Sequence, residues 1–233
     1  MKKLQEIPLI LTILSLVTFI APANADVKVV TSIKPLHSLA SYLMDGVGKP
    51  DLIVDGYASP HGFSMKPSHA KMLQNADLIF WVGEDLESFL EKPLSSIAKK
   101  AEKIELLEIK GLNVLKFRER NIFDEHDHDD HDDHGKKEEH DDHDDHDDHE
   151  GHAHGEYDPH IWLDPMNAKV ILNEMVEHLI ENDPKNEAKY KSNLDKALKD
   201  IDKLTIDVMT ELSNSVSSIV FHDAYQYLSL IHI

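Results

Sequence analysis

The chain has 233 residues, a formal net charge of −20, 17 histidines and no cysteine. That length accommodates one large or two small domains, and without cysteine there is no disulfide and no cysteine-linked lipid. The acidity is local: residues 124–150 hold 16 acidic residues and two lysines, leaving 28 acidic against 22 basic residues elsewhere, a net charge of −6. Nucleic-acid binding, which needs a basic face, is excluded.

At the N-terminus Lys2 and Lys3 precede the apolar run Pro8–Ile20, and Ala23 and Ala25 supply small residues at the −3 and −1 positions. This pattern predicts a secretory signal peptide over residues 1–25. A membrane anchor is the alternative, but a run of about 13 residues falls short of the roughly 20 that span a bilayer. Export to the periplasm of a Gram-negative cell is the simplest destination.

Val27–Thr31 is short and β-branched, as a buried strand requires. Pro35 opens a helical pattern (Leu36, Leu39, Ala40, Leu43, Met44) that stops at Gly46. Asp51–Val54 reads as a second strand, followed by the turn-rich loop GYASPHGFSMKP. Ser68 is placed as the cap of a short helix through Gln74, and Ala76–Val82 as a third, fully apolar strand with Phe80 and Trp81 in the core. Leu86–Leu90 and Leu94–Ala98 read as helical on either side of Pro93, and Ile104–Ile109 as a fourth strand. Strands that alternate with helices and are apolar throughout predict an α/β fold, a parallel sheet wrapped by helices.

The stretch from Asp124 interleaves ten histidines (His126, His128, His131, His134, His140, His143, His146, His149, His152 and His154) with Asp and Glu. Only Ala153 is apolar there, so the segment is expected to be a solvated loop that gathers metal ions weakly. It runs into EYDPHIWLDP, where the single His160 is framed by two Asp-Pro pairs. Asp164 and Pro165 then cap a helix with the stripe Ala168, Ile171, Leu172, Met175, Val176, Leu179 and Ile180. Asp183-Pro184 starts a longer one, with Tyr190, Leu194, Ala197, Ile201, Leu204 and Val208 recurring at spacings of four and three to about Leu212. Ser218–Phe221 is a further buried strand ending in His222.

His61 lies in the loop after the second strand, His222 at the end of another strand, and His160 just before a helix cap. In open α/β sheets ligands bind beyond the carboxyl ends of strands, and three neutral imidazoles converging there suit a borderline metal such as zinc. His37 and His178 read as structural or exposed, and His69 as a helix residue. Spacing alone leaves ordinary hydrogen-bonded histidines equally open.

The motifs SIKPLHSLA, ASPHGFSMKPSHAKMLQNADLIFWVGEDLESFL, the His/Asp insertion, DPHIWLDPMNAK, DPKNEAKYKSNL and VFHDAYQY occur in one order. Together they resemble the high-affinity zinc-uptake periplasmic binding proteins, the solute receptors of zinc ABC importers. The resemblance covers Val27 to Tyr227. It implies two α/β lobes joined by a long rigid helix, a zinc ion held between them as transported substrate, and His61, His160 and His222 as its ligands. Related manganese receptors generally carry an acidic residue at the place of His222. Two features depart from the pattern: Pro60 stands where some zinc receptors have an acidic residue, and the C-terminal lobe's carboxylate ligand has no counterpart in the chain.

The organisation expected is a signal peptide (1–25), an N-terminal lobe (26–182, with the loop 124–156), a linking helix (183–213), the start of a C-terminal lobe (214–227) and a non-native tail (228–233). The tail LSLIHI is what CTGTCTCTTATACACATC encodes, a sequence that resembles a transposon-end adapter. The resemblance further implies a monomer that delivers zinc to an inner-membrane ABC permease and catalyses no reaction. The alternatives are a zinc storage or buffering protein, in which the loop is the whole function, and a zinc-dependent hydrolase, for which no HExxH or other base-bearing signature is present.

Overall fold

The computed structural model describes residues 26–117, 156–213 and 224–232. The expected signal peptide, the ten histidines between 126 and 154, the expected strand Ser218–Phe221 and His222 lie outside the described residues.

Four parallel strands form one sheet in the order β2-β1-β3-β4, with β1 at Val29–Thr31, β2 at Asp51–Leu52, β3 at Leu78–Trp81 and β4 at Glu102–Glu105. Val30 pairs with Asp51 on one side and Ile79 on the other, and Phe80 pairs with Ile104. The two central strands, VVT and LIFW, are buried at every position. Apart from Thr31 they are apolar, because both faces of a parallel sheet are covered. The edge strands carry the polar residues, Asp51 on β2 and Lys103 on β4.

Helix α1 spans Lys34–Leu43 and buries Leu36, Ala40 and Leu43. It ends before Gly46, whose φ of +75° belongs to the left-handed region that a residue with a Cβ enters at a cost. Helix α2 is Pro67–Asn75 and α3 is Glu84–Ser96. Ser68 therefore lies inside α2 instead of capping it: the cap position is Lys66, whose backbone N–H donates to Nδ1 of His69 at 3.1 Å. That bond, with His69 stacked on Phe63 at 5.3 Å, accounts for His69 as a structural residue.

Two other boundaries move. The helical pieces expected on either side of Pro93 are one helix, and its break lies at Glu87 (φ −119°, ψ 51°). The fourth strand starts earlier, at Glu102, and Leu106–Glu108 forms a 3-10 turn. The break at Glu87 has a chemical cause. Its carboxylate is fully buried and needs donors, which it takes from the backbone N–H groups of Val82 and Gly83, both at 3.0 Å, and from the Ser32 hydroxyl.

Helix α4, Pro165–Asn182, packs against β3, α1 and α5. Its stripe Ala168, Ile171, Leu172, Met175, Val176 and Leu179 is buried as the periodicity requires. Helix α5, Glu187–Leu212, has 26 residues, about 39 Å at 1.5 Å per residue. Tyr190, Asn193 and Ala197 bury its first half, whereas Leu204, Ile206 and Met209 are exposed. A last helix, α6, runs from Gln226 to His232. No helix among the described residues is long and apolar enough to cross a membrane.

Candidate metal centre

His61 sits in the 3-10 turn Pro60–Gly62, where Ser59 Oγ accepts its backbone N–H at 3.3 Å. The turn packs against α3 and is rigid for a local reason: Pro60 fixes φ at its first position and Ser59 caps it. Nε2 of His61 is sealed from solvent.

His160 precedes the 3-10 turn Ile161–Leu163, which leads into α4. Asp164 accepts the Met166 N–H at 2.8 Å and caps that helix. Asn167, one turn further, exchanges two hydrogen bonds with the backbone of Asn113. A short ribbon closes the base of the histidine-rich segment: Lys116 pairs antiparallel with Tyr157, and Asp158 N–H donates to Leu115 O at 2.8 Å. The backbone on both sides of His160 is thus tied to the lobe.

The imidazole of His160 is itself oriented. Its Nδ1 lies 2.7 Å from Oδ1 of Asp158, and its backbone N–H donates to the same oxygen at 3.0 Å. Asp158 and His160 are 1% and 5% exposed. A carboxylate only accepts, so Nδ1 carries the proton and Nε2 becomes the nitrogen able to ligate a metal. Behind this pair stands Tyr227, fully buried, whose hydroxyl donates to the Asp158 carbonyl at 2.7 Å and accepts the Leu115 N–H at 3.0 Å. Burial raises the Tyr227 phenol to about 12, so it remains a donor across the physiological range.

The two rings face one another with centroids 5.8 Å apart and planes tilted by 51°. Zinc at 2.0–2.1 Å from each nitrogen would lie about 3.2 Å from each ring centre, so tetrahedral geometry asks for centroids about 5 Å apart. The observed separation is within reach of that. Trp162 packs its edge on His160 at 5.3 Å and, with Ile33, Val54 and Pro60, lines a cavity of about 200 Å³. Ile33 and Val54 lie just past the carboxyl ends of β1 and β2, which puts the histidine pair at the expected rim of the sheet.

Of the three single histidines expected as ligands, the fold brings His61 and His160 together, and His222 falls outside the described residues. Sequence reasoning missed Asp158 and Tyr227. The signal for Asp158 was present in Asp-Pro-His, because a ligating imidazole needs an acceptor for its other nitrogen.

Residues 29–230 match the profile of the family described as ZnuA, zinc-uptake complex component A, periplasmic. The chain belongs to the ZnuA family. A high-affinity zinc uptake system protein ZnuA from Brucella abortus is 49% identical over 209 residues, covering 85% of this chain and 63% of the relative. The protein of the same name from Paracoccus denitrificans is 40% identical over 211 residues, covering 89% of this chain and 65% of the relative. Among solved structures, a zinc-bound ZnuA carrying a deletion of 138–173 matches at TM-score 0.66 and 20% identity, over 89% of this chain and 67% of that one. Zn(II)-bound AdcA from Streptococcus pneumoniae matches at 0.65 and 18%, over 89% of this chain and 38% of that one. These structural likenesses establish the fold. The chain spans less than two thirds of the length of these curated relatives.

Proposed function

We propose that this ZnuA-family chain captures zinc in the periplasm, after export by the signal peptide 1–25, and passes it as a monomer to the inner-membrane permease of an ABC importer. The observation that carries the reading is the pair His61–His160, with Nε2 of His61 sealed from solvent and the buried His160 held by Asp158 in the tautomer that offers Nε2. His222 completes the set. Residues 183–213 link this lobe to the segment bearing His222, in keeping with the length of α5 and the exposure of Leu204, Ile206 and Met209.

Capture follows from the chemistry of the donors. Neutral imidazoles favour zinc over manganese and magnesium, which prefer oxygen ligands. The bond to Asp158 removes rotational freedom of His160 before metal arrives, and it raises the basicity of the ligating nitrogen. The ten histidines between 126 and 154 act differently: gathering each donor costs about 1–2 kcal/mol per residue ordered, so that stretch scavenges zinc weakly for the rim site. Because ligand histidines must be neutral, affinity falls as pH drops through the imidazole range of about 6.5.

Competition between metals tests the assignment. Zinc is expected to stay bound against a large excess of manganese, and equal retention of manganese would contradict a three-histidine site.

A further inference from the structure

The short helix α6, Gln226–His232, opens four positions after His222 and is held to the lobe by more than its own packing. It lies against α5 and against the 3-10 turn Ile161–Leu163 that follows His160. Its first two side chains bond to the peptides on either side of the histidine-rich segment. Gln226 Nε2 donates to the Lys116 carbonyl at 3.2 Å. The Tyr227 hydroxyl accepts the Leu115 N–H at 3.0 Å and donates to the Asp158 carbonyl at 2.7 Å.

A fully buried tyrosine with a satisfied hydroxyl is ordinarily a packing residue. Tyr190 is one: it is equally buried, and its hydroxyl donates to Asp183 Oδ2 at 2.9 Å, at the end of α4 away from His160. Tyr227 differs in what its bonds join. The Asp158 carboxylate is already engaged by the backbone N–H and Nδ1 of His160, and the Asp158 N–H by the Leu115 carbonyl. Those bonds hold the imidazole within the lobe. The Tyr227 hydroxyl adds a link between that framework and a residue 69 positions further on, which follows His222 by five. Five residues of extended chain reach at most about 17 Å, so anchoring Tyr227 confines His222 to the neighbourhood of the pair. A donor confined before the metal arrives loses less freedom on binding.

We propose that Tyr227 is a positioning residue of the zinc site: its hydroxyl tethers the segment that follows His222 to the peptides around His160, so that the third histidine is presented from the same framework as the first two. The tether rests on the reading of His222 as the third ligand. It also makes Leu115, on the strand of the ribbon that leads into the histidine-rich segment, part of the support of the site.

The test is a double-mutant cycle on the whole chain, with the tightest zinc site read by competition with a chelator under conditions where circular dichroism shows every variant folded. Tyr227→Phe keeps the ring and its packing, and is expected to weaken tight binding by about 10–100-fold. His222→Ala weakens it too. In the double variant, Tyr227→Phe is expected to add less than about twofold to the loss from His222→Ala, because a tether has no effect once the ligand it presents is gone. Tyr190→Phe separates positioning from stability: it is expected to lower the denaturant midpoint and leave zinc affinity at the parental value. Parental affinity in Tyr227→Phe, with a large loss in His222→Ala, would overturn the tether and leave the three-histidine reading standing. A Tyr227→Phe loss that persists in full without His222 would overturn it as well, and place the action on Asp158 alone. Parental affinity in His222→Ala would remove the three-histidine reading and the tether together.

Discussion

Asp158 decides which nitrogen of His160 meets a metal, and it does so from a position with almost no solvent contact. Asp158→Asn keeps the shape but can present an amide N–H to Nδ1, which favours the wrong tautomer. Zinc affinity is expected to fall by about 10–100-fold with the fold intact, measured by competition with a chelator. Glu87 gives a prediction of another kind. Burial is the main reason its carboxyl is raised from 4.5 to about 7, against the opposing hydrogen bonds from Ser32, Gly83 and Val82. The folded state therefore holds a proton that the unfolded chain has released between those two values. The stability this contributes is complete below about 4.5 and is lost as pH rises through about 7. Relative to the parent, Glu87→Gln is expected to gain about 2–3 kcal/mol between pH ~5 and pH ~8, read from denaturant unfolding at each pH. Glu105, raised to about 7 by burial and then by Glu108, titrates in the same range and is coupled to Glu87 by charge. Neither residue was legible in the sequence. Glu87 sits in a helix pattern as an ordinary polar position, and one of the donors to its carboxyl, Ser32, is 55 residues away.

Helices and strands were the most legible level. The alternation of apolar strands with amphipathic helices fixed the parallel sheet, since an antiparallel sheet with one wet face would have alternated residue by residue. Boundaries failed where side chains competed with the backbone: Glu87 breaks α3 where Pro93 was expected to, and His69 with Lys66 displaces Ser68 from the cap of α2. Helix α5 shows what periodicity leaves out. Its stripe includes a polar residue, Asn193, whose side-chain amide donates to the carbonyls of Leu43 at 2.7 Å and Asp45 at 2.9 Å. Two carbonyls at the end of α1 are thereby satisfied, and the long helix is fastened to the first one. Asn193→Ala leaves the buried Leu43 carbonyl without this partner, and is expected to cost about 2 kcal/mol in chemical denaturation. An unchanged midpoint would mean that water replaces the amide.

At the scale of the whole molecule, the topology does the work of assembly. His61 and His160 are separated by 99 positions in sequence, yet both follow from one rule, that loops beyond the carboxyl ends of parallel strands meet at a rim. That rule identified the rim. Imidazole orientation was beyond its reach, because it depends on Asp158 and Tyr227 packing from different parts of the chain. The central claim is that tight zinc binding belongs to these preorganised histidines and weak binding to the ten histidines between 126 and 154. Calorimetric titration of three proteins tests it: the parent chain, His160→Ala, and a variant lacking residues 126–154. Deleting the loop is expected to remove several weak sites and leave the tightest one almost unchanged, whereas His160→Ala abolishes the tightest and spares the weak ones. Loss of tight binding on loop deletion alone, with His160→Ala behaving as the parent, would contradict the account.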